Sequence, residues 1–147
     1  MDLKPLNYSQ LDKQQIPLVN QFYKRVYKKG VANKADQVFV LQDTKIRCAA
    51  RLKAIDELLL LTGVACEPER QGNGLASLLI NKVLSTQQQD VYCFPYIHLG
   101  EFYQALGFTL CHIEQLPDAV ATRYQKYNRH NTLLCMVYAS NSDSSSP

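Results

Sequence analysis

A pair of glycines stands where an apolar stretch ends and a helical pattern begins. Gln71-Gly72-Asn73-Gly74 follows LLLLTGVAC and Pro68 in the sequence, and leucines and a valine then recur at three- and four-residue steps. This order predicts a strand, a glycine loop and a helix. The first N–H groups of a helix have no partner within it, and the peptide dipoles place partial positive charge there. Because glycine has no Cβ, an anion can approach the backbone closely, so the loop predicts an anion-binding site.

Two nucleotide-binding motifs do not account for this loop. A Walker loop requires lysine directly after its last glycine, and Leu75 follows Gly74 instead. The dinucleotide fingerprint requires a third glycine, and Ser77 occupies that position. On its own, the glycine pair is therefore also compatible with a plain turn between a strand and a helix.

The elements that must position this loop follow from hydrophobic periodicity. We expect an amphipathic helix from about Asp12 to Lys29 and a helix from Gly72 to Ser85. Gly63, inside the strand before the loop, suggests a bulge or a close approach to the backbone. The remaining segments predict a strand at QVFVLQ, a strand at KIRCAARLKAI, a strand at VYCF, a short helix at HLGEFYQALG, strands at FTLCHIE and TLLCMVY, a helix left open at LPDAVATRYQKYNRHN, and a first strand left open at Leu3–Asn7.

Composition limits the class of protein. The chain has 147 residues, 46% of them apolar, and a formal charge of +3 without a dense basic block. These values predict one domain over residues 1–139, with a low-complexity, disordered tail at 140–147, and they argue against a nucleic-acid partner. We expect no membrane segment, a cytoplasmic location, no metal site, and reduced, mostly buried thiols for the five cysteines.

Two segments together carry a resemblance to a known family. QGNGLA fits the pattern [QR]-x-x-G-x-[GA], and EFYQALGF follows it after a short predicted strand. In this order and at this separation, they resemble the GNAT family of acyl-CoA N-acyltransferases. The resemblance implies an α/β fold with a mixed, mostly antiparallel sheet of six to seven strands, flanked by about four helices.

The resemblance also implies a cofactor and its binding residues. Acetyl-CoA would be the co-substrate, with its pyrophosphate on the backbone N–H groups of the loop and helix start. Its pantetheine arm would lie along the end of the preceding strand, near Tyr96, where family members often have asparagine. The cofactor-binding residues implied in this way are Val64, Ala65, Cys66, Gln71, Gly72, Asn73, Gly74, Leu75, Ala76, Ser77 and Tyr96.

The chemistry implied is direct acetyl transfer to a primary amine in a ternary complex, by a monomer or a homodimer without a metal. The backbone N–H of Cys66 would stabilise the oxyanion, and Tyr103 would reprotonate the thiolate of coenzyme A. Packing beside Phe102 is the alternative role for Tyr103.

The general base is left open by the sequence. The candidates are Glu57, Glu67, Glu101 and His98, and ordered water is an equal alternative. A non-catalytic acyl-CoA-binding module is the rival function, because the strand before the loop lacks a carboxylate. The basic row Lys45, Arg47, Arg51 and Lys53 is interpreted as a solvated strand face, with attraction of an acidic acceptor as the alternative.

Overall fold

The computed structural model describes residues 5–28 and 30–140 and contains seven strands and four α-helices within them. The predicted mixed, mostly antiparallel α/β fold is confirmed. The strand order in the sheet is β1-β2-β3-β4-β5-β7-β6. In chain order the elements are β1 (Asn7–Leu11), α1 (Ile16–Val26), β2 (Gln37–Gln42), β3 (Ile46–Ile55), β4 (Leu58–Cys66), α2 (Leu75–Ser85), β5 (Val91–Cys93), α3 (Gly100–Ala105), β6 (Thr109–Leu110), α4 (Asp118–Asn128) and β7 (Met136–Tyr138).

The chain divides into two compact units. Met1–Lys53 and Leu61–Ser85 form the first unit, and Ala54–Leu60 and Thr86–Pro147 form the second. In the first unit, β1, β2 and β3 pair antiparallel, and α2 packs against β2. Its core is apolar and comes from α1, α2 and the strands; the helices bury Ile16, Val19, Phe22, Tyr23, Leu79, Ile80, Val83 and Leu84.

The second unit has its own core around α4. β7 pairs antiparallel with both β5 and β6. The hydroxyl of Tyr124 on α4 donates a hydrogen bond to the carbonyl of Leu133 over 2.7 Å. The buried residues of this core are Ile55, Leu60, Tyr92, Val120, Tyr124 and Cys135. The helix that the sequence left open at residues 116–131 is therefore present as α4.

Element boundaries differ from the prediction at several places. The helix predicted from Gly72 begins at Leu75, and of the strand predicted at FTLCHIE only Thr109–Leu110 is strand. The start of the chain differs as well. The first strand occupies Asn7–Leu11, after the predicted range, of which residues 3 and 4 lie outside the described residues. The first helix begins at Ile16, because Asp12 caps a short 3₁₀ turn before it by accepting a hydrogen bond from the Gln14 N–H. The helix ends at Val26, before the predicted end at Lys29, which lies outside the described residues. Of the predicted disordered tail at 140–147, residues 141–147 lie outside them too, whereas the Ser140 N–H donates a hydrogen bond of 2.9 Å to Asp90.

Across residues 5–28 and 30–140, we find no helix with the length and apolar character needed to cross a bilayer.

Candidate functional site

The glycine loop joins β4 to α2 within the first unit. A 3₁₀ turn over Pro68–Arg70 follows β4, and Gln71 to Gly74 then lead to Leu75, the first residue of α2. Gly72 and Gly74 have φ angles of 85° and 77°, in the left-handed region that side chains rarely adopt. A Cβ at either glycine would have no other atom within 4 Å. The loop is therefore exposed, and both glycine Cα atoms face open space.

The start of α2 presents its backbone donors beside this open space. The Leu78 N–H donates a hydrogen bond of 3.0 Å to the Gly74 carbonyl, and this bond is at the start of the helix. The N–H groups of Leu75, Ala76 and Ser77 precede that bond, at the end of the helix where the dipole is positive. These residues are half-buried. The geometry is suited to binding an anionic group on backbone N–H donors.

The side chain of Gln71 points back to the strand. Its amide nitrogen donates a hydrogen bond of 3.3 Å to the carbonyl of Cys66, the last residue of β4. Gln71 therefore ties the loop to the strand end. The preceding residues Val64 and Ala65 are half-buried, whereas Cys66 is buried.

A buried carboxylate lies at the base of the loop. Glu67 is 1% exposed, although it directly follows the strand end. One oxygen lies 2.7 Å from a guanidinium nitrogen of Arg25 on α1, and the other lies 3.0 Å from Arg47 on β3. Arg70 lies within 3.5 Å of both Glu67 and Asp43. The sequence did not predict this network, which joins α1, the start of β3, the turn before β3 and the segment that follows β4.

The arginines keep both carboxylates ionised. A hydrogen bond from Arg47 lowers the pKa of Asp43 to about 2. Burial alone would raise the pKa of Glu67, but hydrogen bonds from Arg25 and Arg47 outweigh that effect and lower it. A carboxylate with a lowered pKa accepts protons poorly, so this environment does not favour Glu67 as a general base.

The basic row on β3 is not a solvated face, so that interpretation was wrong for most of its members. Arg47 pairs with Glu67 and Asp43. Arg51 is buried and lies 3.1 Å from Asp36, and Lys53 lies 3.3 Å from the other oxygen of Asp36. These three cations are therefore partly neutralised by neighbouring carboxylates, whereas Lys45 is exposed.

The expectation of reduced thiols is also wrong for two cysteines. Cys48 on β3 and Cys66 on β4 form a disulfide, with their Cα atoms 4.1 Å apart. Two strands brought side by side place residues 18 positions apart in the chain directly opposite each other. Cys93, Cys111 and Cys135 are free. With its sulfur bonded to Cys48, Cys66 has no thiol to act as a nucleophile.

The second unit contains the predicted acid. Tyr103 on α3 is 7% exposed, and its ring packs edge-on against Phe102 and Phe108, at centroid distances of 5.0 and 5.5 Å. The Phe108 N–H donates to the Tyr103 carbonyl over 3.1 Å and closes the helix end. The packing role that the sequence left open is thus present, and the acid role stays a prediction.

Tyr96 and the remaining base candidates lie near the surface of the protein. Tyr96 is exposed, and its ring stacks on that of His98 with 5.9 Å between centroids. His98, Glu57 and Glu101 are all exposed. Within residues 5–28 and 30–140, no group of His, Cys, Asp and Glu side chains has an arrangement that could hold a metal ion.

Comparisons with known proteins support the fold. No protein-family description and no curated protein sequence matches the chain. Solved structures do match. An N-acetylglutamate synthase from Neisseria gonorrhoeae, complexed with coenzyme A and L-arginine, superposes with a TM-score of 0.70 at 15% identity, over 94% of this chain and 34% of that one. This chain thus spans about a third of that synthase.

Two further structures are matched over nearly their whole length. Rv2747 from Mycobacterium tuberculosis, in complex with CoA, has a TM-score of 0.68 at 16% identity, covering 90% of this chain and 98% of that one. The ribosomal-protein-S18-alanine N-acetyltransferase from Escherichia coli has a TM-score of 0.63 at 14% identity, covering 90% of each chain. At such identities the likeness establishes the fold, which is the one expected from the sequence.

Proposed function

We propose that this chain, which has the fold of the GNAT acyl-CoA N-acyltransferases, is an N-acetyltransferase that moves an acetyl group from acetyl-CoA to a primary amine. The glycine loop carries this proposal: Gly72 and Gly74 face open space directly before the N-terminus of α2. Two of the solved structures that share the fold were crystallised with coenzyme A, which supports the choice of ligand.

The residues present fit a pyrophosphate. The loop backbone from Gln71 to Ser77 would donate N–H groups, and the α2 dipole would supply positive potential. Gln71 carries no charge, and Arg70 is paired with Asp43 and Glu67. Attraction of the anion would therefore come mainly from the backbone, as the open glycine positions allow.

The strand end would bind the rest of the ligand. The backbone of Val64, Ala65 and Cys66 would pair with the pantetheine amides as an added strand does, and Tyr96 would contact the same arm. When bound, acetyl-CoA supplies an activated thioester carbonyl and a thiol leaving group. The Cys66 N–H would then donate to the carbonyl oxygen as negative charge develops on it.

Two proton transfers complete the reaction. Tyr103 would return a proton to the departing thiolate. A phenol, with an ordinary pKa of about 10, is protonated at neutral pH and can therefore share its proton with a thiolate whose conjugate acid has a pKa of about 8.5. The amine must lose its proton before attack, since alkyl amines have pKa values of about 10. Glu67 is held by arginines, so water or one of the exposed groups Glu57, Glu101 and His98 would accept that proton.

A charge placed in the loop tests the cofactor assignment. Asn73→Glu brings a carboxylate beside the proposed phosphate position, and Asn73→Gln adds the same bulk without charge. Like charges about 6 Å apart repel by roughly 1–3 kcal/mol, so we expect acetyl-CoA to bind at least about tenfold more weakly to Asn73→Glu. Affinity is measured by calorimetry and by the ligand-induced rise in melting temperature. Equal affinities for the two variants would contradict the assignment.

An activity screen separates the enzyme from the rival binding module. The module is favoured by one observation, the engagement of Glu67 with three arginines, which removes a candidate base. The protein is incubated with acetyl-CoA and with panels of polyamines, amino acids, aminoglycosides and peptide N-termini, and turnover is measured by the release of thiol. Turnover with any amine supports the enzyme, and Tyr103→Phe should then lower turnover more than acetyl-CoA affinity. Tight binding without turnover across all panels would favour the module.

A further inference from the structure

A glycine in the left-handed region interrupts β4 just before the strand end. Gly63 has a φ angle of 63°, within a strand that continues to Cys66. A left-handed residue departs from the extended backbone of a strand and re-aims the groups that follow it. Leu59 to Leu61 are buried, whereas Thr62 to Ala65 are half-buried. The half-buried part of the strand therefore begins at Thr62, next to this glycine.

A buried tyrosine on α1 holds the carbonyl of this glycine. The Tyr23 hydroxyl donates a hydrogen bond of 2.6 Å to the Gly63 carbonyl oxygen. The ring is fully buried and meets Phe22 edge-on at 5.7 Å. A Cβ at Gly30 would lie 2.5 Å from the ring, so Gly30 also packs directly on it. Burial raises the pKa of Tyr23 to about 12, so the phenol remains a donor at any working pH.

A second buried side chain, Arg51, also lies against the glycine. Arg51 is held by the Val31 carbonyl and by Asp36. Its guanidinium carbon lies 5.4 Å from the centre of the Tyr23 ring. A Cβ at Gly63 would lie 2.6 Å from Arg51 Nε and 2.9 Å from the Tyr23 hydroxyl. Arg51 and Tyr23 therefore contact each other and together leave no room for a side chain at residue 63.

We propose that Tyr23 is a positioning residue for the acyl-CoA site. Its hydroxyl fixes the Gly63 peptide, and the left-handed backbone at this residue sets the direction of the N–H and C=O groups of Val64, Ala65 and Cys66. This inference rests on the proposed function, in which those groups pair with pantetheine and stabilise the oxyanion. Tyr23 touches no ligand itself and acts through the strand.

The chain offers a matched control for removing the hydroxyl. Tyr124 is also buried, and its hydroxyl also donates to a backbone carbonyl, that of Leu133, over 2.7 Å. Tyr23→Phe and Tyr124→Phe therefore each remove one buried donor and leave one carbonyl without it. Both variants should melt a few degrees below the wild type, since each loses a similar hydrogen bond. Only Tyr23→Phe should affect the strand end.

Two ligands separate positioning from a loss of stability. 3′-Phospho-ADP contains the pyrophosphate of coenzyme A but no pantetheine, whereas acetyl-CoA contains both. We expect Tyr23→Phe to weaken acetyl-CoA about tenfold in calorimetry and to leave 3′-phospho-ADP within about twofold. Tyr124→Phe should change neither. Unchanged acetyl-CoA affinity in Tyr23→Phe, or an equal loss for both ligands, would overturn the inference.

Amide hydrogen exchange tests the same inference without a ligand. In the ligand-free protein, Tyr23→Phe should speed exchange at Val64 to Cys66 about tenfold, and Tyr124→Phe should not. If the wild type binds neither ligand, the proposed function fails, and this measurement still decides the role of Tyr23. Equal exchange at these amides in wild type and Tyr23→Phe would overturn that role.

Discussion

Removing the charge of Glu67 should destabilise the first unit strongly. Glu67→Gln keeps the size of the side chain but replaces one carboxylate oxygen with an NH₂ donor. In the folded protein the two oxygens face guanidinium nitrogens of Arg25 and Arg47 at 2.7 and 3.0 Å. The variant would therefore place a donor against a donor and leave buried positive charge without its partner.

The size of the loss in stability follows from the burial of Glu67 and from the exposure of its arginine partners. Breaking a buried ion pair by removing one side costs about 3–5 kcal/mol. The Arg25 side chain is 42% exposed, so water can solvate part of the released charge. We therefore expect a loss of about 2–3 kcal/mol. For a chain of this length, that loss lowers the melting temperature by roughly 4–12 °C.

The assay is urea and thermal unfolding at pH 7, with Glu69→Gln as the control. Glu69 is exposed and lies two residues away, in the same 3₁₀ turn. A surface change of this kind normally alters stability by less than about 0.5 kcal/mol. If Glu67→Gln were no less stable than Glu69→Gln, the ion pairs of Glu67 would contribute nothing to the free energy of unfolding, which would refute the prediction.

Two further outcomes follow from the same geometry. Folding lowers the pKa values of Asp43 and Glu67, so their contribution to the free energy of unfolding is complete above their ordinary pKa values of 3.8 and 4.5. This contribution is lost as the pH falls toward about 2. Urea midpoints at pH 6, 4 and 3 should therefore decrease in the wild type, and they should decrease less in Glu67→Gln. In urea unfolding, Gly63→Ala should lower the free energy of unfolding by about 1–3 kcal/mol more than Gly72→Ala. Both glycines have a positive φ, but of the two only Gly63 lacks room for a Cβ. Equal losses of stability in the two variants would contradict this clash.

The features that the sequence predicted well are local. β4 and the glycine loop are encoded by a continuous apolar run, by Pro68 and by two glycines, all within twenty residues. Because such signals depend on local backbone conformation, they can be recognised without knowing which residues pack nearby. At Gly63 the sequence predicted a bulge or a close approach to the backbone, and the structure has a φ angle of 63° there with Arg51 and Tyr23 close to the glycine.

The features that it missed depend on register and on distant residues. Arg25 meets Glu67 across 42 positions, and Arg51 meets Asp36 across 15. Basic residues at four of five alternate positions from Lys45 to Lys53 predict a solvated face unless another element brings a carboxylate beside them. A signal was present: Glu67 closes a buried strand, where an unpaired carboxylate would be costly, so a cationic partner was to be expected.

Several side chains of the first unit make contacts at the last residues of β4. Tyr23 holds the carbonyl of Gly63, Cys48 is bonded to Cys66, Gln71 donates to the carbonyl of Cys66, and arginines surround Glu67. Backbone groups cannot be re-aimed by changing their own side chains, so a site made of backbone N–H donors needs contacts from outside the strand. A core that served only stability would favour apolar groups here, because buried polar groups return little net energy. The concentration of polar contacts at one strand end is therefore what a backbone-built acyl-CoA site requires.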